Sequence, residues 1–529
     1  MKKINLLLSA MAMVFSLTLF AQEATITNVL NLKSVKQSGQ IIENDKLVGY
    51  YVFYFKEKND KKTATYEVEF FDNNYNSINS FEVTRPKKSY LLEMVYNGEV
   101  FMLFFYDRKT GYEFVSFDKT GKKLGNHLIP KKSISSFDLQ KSTVALSSGT
   151  ENVTIYPLGN EGFVRQTYTK SKKVGYEFVA YDNEMNELWS YGSPLSSKLI
   201  ETAEISEVSD KFVTATIYRK KGLMTKKMDL AFVILDAKSG ELVSEMEMGN
   251  ADEGKESVLK TYFDEAQEKI VLIGEFYKPG DDILKDKSQG LFIKELGEDG
   301  AELTINQYKW KGHIDKFKNE NLSEEDKKEA KAAFSIFFHD AIRSENGNLF
   351  LIGEQFRKQL SAGGTALNML AAASGGSSDA AAFEIRVSNM IVIEFDKKNN
   401  LVGFNVIKKK KTSVLLPKGA GLWGTAFLGY YINSIGGFDY SFTSADKNSD
   451  VYSVVYTDYN RKLEKGEKKS DKMLGIIQIE AGKMEASRVP INTNAKRWWI
   501  QPAKPGHISI TEYYKKEKKL SMRLEQLTY

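Results

Sequence analysis

The chain has 529 residues, 42% apolar and 27% charged, the balance of a protein that buries a large core. It holds no cysteine, which excludes a disulfide framework, a thiolate zinc site and the lipid-bearing cysteine of a lipoprotein. Its 74 Lys and Arg against 69 Asp and Glu give a net charge of +5, and two of the lysines are Lys2 and Lys3, so the charge argues against a nucleic-acid binder.

Lys2 and Lys3 stand before the apolar run "INLLLSAMAMVFSLTLFA", and Ala21 precedes the polar "QEAT". This is the pattern of a secretory signal peptide over residues 1–21. A retained membrane anchor is the alternative. No later run approaches the roughly 20 apolar residues of a membrane helix. The expected location is therefore the periplasm or the cell surface.

Residues 22–529 read as one β-rich domain. They carry the 27 Tyr and 32 Phe of the chain almost entirely, against few prolines, and aromatic residues suit pleated, half-buried surfaces. A repeated unit organises them. "GYEFVSFDKTGKKLG" from Gly111 returns as "GYEFVAYDNEMNELWS" from Gly175. In each, an apolar run ends in an acidic residue, a tight turn follows, and a more polar run leaves it. The same pattern recurs from Tyr66, Leu230, Gly290, Met390 and Leu474. Two β-rich runs around a turn read as a hairpin. Another β-rich run precedes each hairpin, such as "KIVLIGEFY" from Lys269 and "NLFLIGEQF" from Asn348, and one more strand-like run usually comes before that.

The unit is thus a four-stranded meander, a to d, occurring about eight times, and such a unit predicts a β-propeller blade. The last unit ends after its third strand, "LSMRLEQLTY", and the expected fourth strand is "ATITNVLNL" near the N-terminus. The expected fold is all-β, a propeller of about eight four-stranded blades, with seven as the near alternative and small helical insertions on one face. Paired β-sandwiches and an outer-membrane barrel are the competing architectures. Alternate residues back from Tyr529 are Leu527, Glu525, Arg523 and Ser521, a face unsuited to lipid. These repeats resemble the broad β-propeller class, in the manner of kelch-like and WD-type proteins, without either family's signature dipeptides. The "LFAQ" that ends the signal segment and the Lys-, Asn-, Tyr- and Phe-rich composition resemble exported, uncharacterised proteins of Bacteroidota. The resemblance implies a fold and not an activity.

In a four-stranded meander the b–c loops and the d-to-a connections share one end of the blade. The long insertions all belong to that set: residues 312–338, 357–386 and 418–440. In the first, Ser323 followed by Glu324, Glu325 and Asp326 predicts a helix from Glu324 to Ser335. In the second, "TALNMLAAA" reads as one short apolar helix. The third mixes glycine with Trp423, Phe427, Tyr430 and Tyr431. Two readings of this sector stand: packing that closes one end of the ring, or a binding surface anchored by those rings.

Among the four histidines no pair has metal-ligand spacing, so no metal site and no cofactor is expected. His339 with Asp340 is the pair of interest, because innermost strands line a propeller's channel. "GAGLWG" from Gly419 fits GxGxxG, but that motif needs a parallel βαβ unit, and hairpins surround it here. The lysine runs from Lys170, Arg219, Lys408 and Arg461 fall at the loop-rich end and favour an anionic partner. The function expected is that of an exported, non-enzymatic binding or scaffolding protein for an envelope protein or glycan. The candidate binding residues are Trp423, Phe427, Tyr430, Tyr431, His339 and Asp340. A carbohydrate-active enzyme with acidic residues around the channel is the alternative.

Overall fold

The structure, a computed structural model, describes residues 23–29, 35–43, 46–148, 154–170, 174–194, 196–222, 228–250, 254–265, 267–329, 334–361, 383–417, 420, 423–446, 450–459 and 472–527. The expected signal segment, the "TALNMLAAA" helix and nearly all of the lysine run from Arg461 lie outside these residues.

The described residues form eight antiparallel sheets, each built on four strands paired in chain order, the blades of a β-propeller. The hairpin pattern has a simple cause. In five of the blades an aspartate at the end of the third strand caps the turn after it. Asp72 accepts the backbone N–H groups of Asn74 and Asn76 at 2.8 Å, and Asp396 does the same for Lys398 and Asn400 at 2.8 Å. Asp118 and Asp182 hold their turns in the same way. These bonds outweigh desolvation and keep the Asp72, Asp118 and Asp396 carboxyls below the usual carboxylate range.

The chain divides into two compact units. One is Lys88–Ile491, with blades two (Ser89–Pro130), three (Ile155–Gly192), four (Ile200–Glu247), five (Gly254–Lys309), six (Ser335–Ile407) and seven (Tyr440–Pro490). Their strands alternate apolar residues to both faces, and successive blades bury them together. Ile270 and Leu272 pack with Phe232 of blade four, whereas Val271 and Ile273 pack with Leu351 and Ile391 of blade six. Each such side chain contributes about 1.5–3 kcal/mol on leaving water.

The other unit joins Met1–Lys87 and Asn492–Tyr529. It contains blade one (Val35–Pro86) and blade eight, whose outer strand is supplied from the N-terminal side as expected. Glu23–Ile26 runs antiparallel to Lys519–Gln526, with Glu23 opposite Arg523 and Ile26 opposite Leu520. Ala24 and Ile26 enter an apolar cluster with Tyr50, Val52 and Met522.

Among the described residues four α-helices interrupt the sheets: α1 (Ser136–Ser148), α2 (Asp315–Asn321), α3 (Glu324–Glu329) and α4 (Thr425–Ser434). Of the helix expected over Glu324–Ser335, Glu324–Glu329 is helical, residues 330–333 lie outside the described residues, and Ser335 instead opens the first strand of blade six. The alternation of that strand, not helical spacing, places Phe337. α1 is a helix that the sequence reading passed over, although Ser135 and Asp138 form an N-terminal cap in which Ser135 Oγ accepts the Asp138 N–H at 3.0 Å. Around "GAGLWG" the strand Thr412–Leu415 pairs antiparallel with Glu384–Val387, so no parallel dinucleotide unit forms.

Candidate functional site

Within Lys88–Ile491 the innermost strands of blades four to seven surround a cavity of about 1790 Å³. Glu204, Ser257, Phe338 and Tyr440 reach it from those four strands. Its upper wall comes from the loop-rich end: Ser288 from the b–c loop of blade five, Trp310 from the connection to blade six, and Tyr430 from α4. The volume exceeds the few hundred to about 1,000 Å³ of ordinary small-molecule pockets.

α4 hangs over the cavity because its underside is apolar and its root is clamped. Leu428 and Ile432 bury into a cluster with Phe356, Ile385 and Phe438. Gly429 lets the helix come close: a Cβ there would lie 2.8 Å from the Phe337 ring. The root is a buried charge cluster. Lys409 Nζ donates to Glu354 Oε1 at 2.8 Å and to Asp439; the first two side chains are fully buried and that of Asp439 nearly so. Glu354 also accepts the backbone N–H groups of Asp439 and Tyr440, at 3.1 and 3.2 Å. Thr412 Oγ1 donates to Asp439 at 3.0 Å. The Lys409 charge, with the His339 contact, keeps the Glu354 carboxyl below its ordinary range despite burial. Asp439 is instead pushed up to about 6, by burial and by the nearby Glu354 charge, against the pull of Lys409.

Blade five carries a glutamate at the same repeat position and treats it differently. Glu275 in "LIGE" of blade five matches Glu354 in "LIGE" of blade six, each on the second strand. Glu275 accepts only hydroxyl donors among the described residues: Ser288 Oγ at 2.6 Å and Tyr277 at 3.3 Å. Ser288 in turn accepts the Trp310 indole N–H at 2.9 Å. With no cation beside it among the described residues, burial pushes the Glu275 carboxyl up, opposed by those two hydrogen bonds. Tyr430 lies in the same neighbourhood. Burial pushes its phenol up, and the Glu204 and Glu275 charges push it further. About half of the Tyr430 side chain is nevertheless accessible, from the cavity.

The six residues singled out in the sequence separate into three sets. Tyr430 and His339 line the cavity and are joined through Phe337, which meets Tyr430 edge-on at 5.7 Å and His339 at 5.1 Å. His339 stacks on Tyr440 at 4.4 Å, with Nε2 3.4 Å from Glu354 and no hydrogen bond made. Asp340 turns to Lys260 at 3.4 Å. Trp423, Phe427 and Tyr431 pack against one another, with ring centroids 5.0 and 5.2 Å apart, away from the cavity. Sequence reasoning missed Glu204, Glu275, Ser288 and Trp310. The available signal was an acid at one repeated position in two otherwise apolar strands. Part of the lysine run from Lys408 is internal: Lys408 pairs with Glu325 and Asp326 of α3 at 2.9 and 3.0 Å, and Lys409 is fully buried. Among the described residues no group of three or more His, Cys, Asp or Glu is arranged to hold a metal ion.

The fold is similar to that of several solved structures, all at low identity. A prolyl endopeptidase shares 10% identity over 93% of this chain, with a TM-score of 0.37, and this chain spans 54% of that protein's length. The β-propeller domain of the Trilobed protease from Pyrococcus furiosus shares 11% identity, with 85% of this chain and 98% of that one covered and a TM-score of 0.34. The lignostilbene dioxygenase of Pseudomonas brassicacearum shares 9%, covering 82% and 88% of the two chains, with a TM-score of 0.35. Likenesses this distant transfer no activity. No curated protein matches the chain. Residues 1–528 match one family along their whole length, and the chain accordingly belongs to the family of unknown function DUF6770.

Proposed function

We propose that this protein is an exported binding module whose central cavity receives a glycan. The observation that carries the reading is the cavity itself: about 1790 Å³, walled by rings such as Trp310, Phe337 and Tyr430, and held by inner strands and a clamped helix. A space of that size suits several linked rings better than one small metabolite. Aromatic faces offer stacking area, and Glu204, Glu275 and Ser288 offer groups that bond hydroxyls. The signal-like residues 1–21 support export, and among the described residues no helix is long and apolar enough to cross a membrane.

The test is calorimetric titration of the purified chain with a panel of envelope and plant oligosaccharides, beside Tyr430→Ala and Trp310→Ala. Binding that is lost in both variants supports the reading. Retention of an envelope protein but no glycan would replace it with a scaffolding role. A second reading, a carbohydrate-active enzyme, draws on one observation: a carboxyl biased toward its protonated form, Glu275, shares the cavity with a second carboxylate, Glu204. Release of reducing ends from a bound oligosaccharide, abolished by Glu275→Gln, would establish it over binding alone.

A further inference from the structure

Glu275 and Glu354 occupy one repeat position in adjacent blades, and among the described residues only Glu354 has a cation beside it. A carboxylate placed in a protein cavity without a positive partner is costly, and Lys409 removes that cost in blade six. In blade five, the hydroxyls of Ser288 and Tyr277 orient the Glu275 oxygens without neutralising them. The side chain borders the cavity together with Glu204, Tyr277, Trp310 and Tyr430. Carboxylates beside aromatic faces attract an ammonium group through charge and through the ring quadrupole. Several lysines border the same cavity, Lys220, Lys260, Lys278, Lys287, Lys309 and Lys311 among them, yet among the described residues none forms an ion pair with Glu275 or Glu204, and Lys260 turns to Asp340.

We propose that Glu275, with Glu204 and the rings of Tyr277, Trp310 and Tyr430, receives an ammonium group of the bound glycan, the cation that the chain supplies for Glu354 through Lys409. The ligand class is then a glycan bearing free amino groups rather than N-acetylated or uncharged sugars. This rests on the glycan reading above.

The experiment titrates the full chain with a glucosamine oligomer and with its fully N-acetylated counterpart. The amine form should bind roughly tenfold tighter or more, and Glu275→Gln should close most of that gap while Glu204→Gln narrows it. Equal affinity, or preference for the acetylated form, overturns the inference and leaves the glycan reading standing. Binding of neither oligomer removes amino-glycan recognition. A separate titration with butylammonium against butanol then tests the niche without a glycan. A rise in melting temperature with butylammonium alone, absent in Glu275→Gln, upholds the ammonium niche; no difference between the two additives refutes it. Circular dichroism confirms that both variants are folded.

Discussion

Replacing Lys409 by Met tests whether the buried charge cluster holds the cavity's roof. Methionine keeps an apolar stem and removes only the charge. Wild-type Lys409 Nζ sits 2.8 Å from Glu354 and also bonds Asp439, with the lysine and glutamate side chains fully inaccessible. Removing one partner of a buried ion pair costs about 3–5 kcal/mol, because a buried charge is left uncompensated. Here two carboxylates lose their shared cation, so that range applies directly. The loss is local: Asp439 and Tyr440 begin blade seven, and the α4 insertion ends there. Hydrogen exchange is therefore a sharper assay than a global melt, which for a chain of several blades need not be two-state. At one decade per 1.4 kcal/mol, amides of residues 423–446 should exchange on the order of 10²–10³-fold faster than in wild type, while blades two and three keep their protection. Adding Glu354→Gln should recover part of the protection. Unchanged exchange in Lys409→Met would refute the view that this cluster clamps the helix.

Further outcomes follow from the same geometry. Asp439 is raised from 3.8 to about 6, so its ionised form costs stability above pH 6, up to about 3 kcal/mol, and that cost is relieved as pH falls from about 6 toward 4. Glu354 is lowered from 4.5, so its contribution is present above pH 4.5 and is lost below that. With Lys409 remaining charged and His339 the other titratable group against Glu354, protection across the joint, corrected for the intrinsic pH dependence of amide exchange, should be highest between about pH 4.5 and 6. Ile26→Ala should cost about 2–5 kcal/mol in blade eight and release the N-terminal strand to proteolysis, since Ile26 is 3% exposed in its cluster. Arg165→Met should lower the melting temperature sharply, at about 3–5 kcal/mol, because Asp138 then loses its 2.8 Å buried partner; adding Asp138→Leu should restore much of it.

The architecture was legible because the repeat has a physical cause that shows in single residues. An aspartate after an apolar run caps a turn wherever it occurs, so Asp72, Asp118, Asp182 and Asp396 announce hairpins without any tertiary context. The closing strand at Glu23–Ile26 was legible for a related reason: the final unit lacks a fourth strand, and an unpaired edge is a liability. The site was less legible. Trp423 and Tyr431 have the composition of binding anchors, but composition does not say which face of a helix meets the sheet, and the structure turns them toward each other. Ser335 was expected to end a helix; its pairing with Phe356 made it strand. The lysine run from Lys408 read as part of a basic face for an anionic partner, because nothing local reveals that Glu354, distant in sequence, waits for Lys409. Glu204 and Glu275 carried no motif, and only the repeat comparison separates Glu275 from a surface glutamate.

That comparison leads to a last prediction about what each glutamate is for. A repeat position that keeps an acid in two blades, paired in one and unpaired in the other, is hard to explain by stability alone. Neutralising Glu354 removes a charge that Lys409 and two backbone N–H groups are arranged around, so Glu354→Gln should destabilise, leaving Lys409 with Asp439 only. Neutralising Glu275 removes a charge with no cation beside it among the described residues; the one carbonyl oxygen of glutamine still accepts from Ser288, and its amide group donates to the Tyr277 hydroxyl oxygen in place of the bond Glu275 accepts there. Glu275→Gln should therefore leave the melting temperature unchanged or raise it, by the equivalent of about 0.5–2 kcal/mol, as changes at strained functional positions do. Opposite signs for two chemically identical substitutions at equivalent positions would mark Glu354 as part of the scaffold and Glu275 as kept for a ligand. A fall in stability for Glu275→Gln as large as that for Glu354→Gln would mean that blade five needs the charge for folding, and the case for a ligand-facing role at Glu275 would fail.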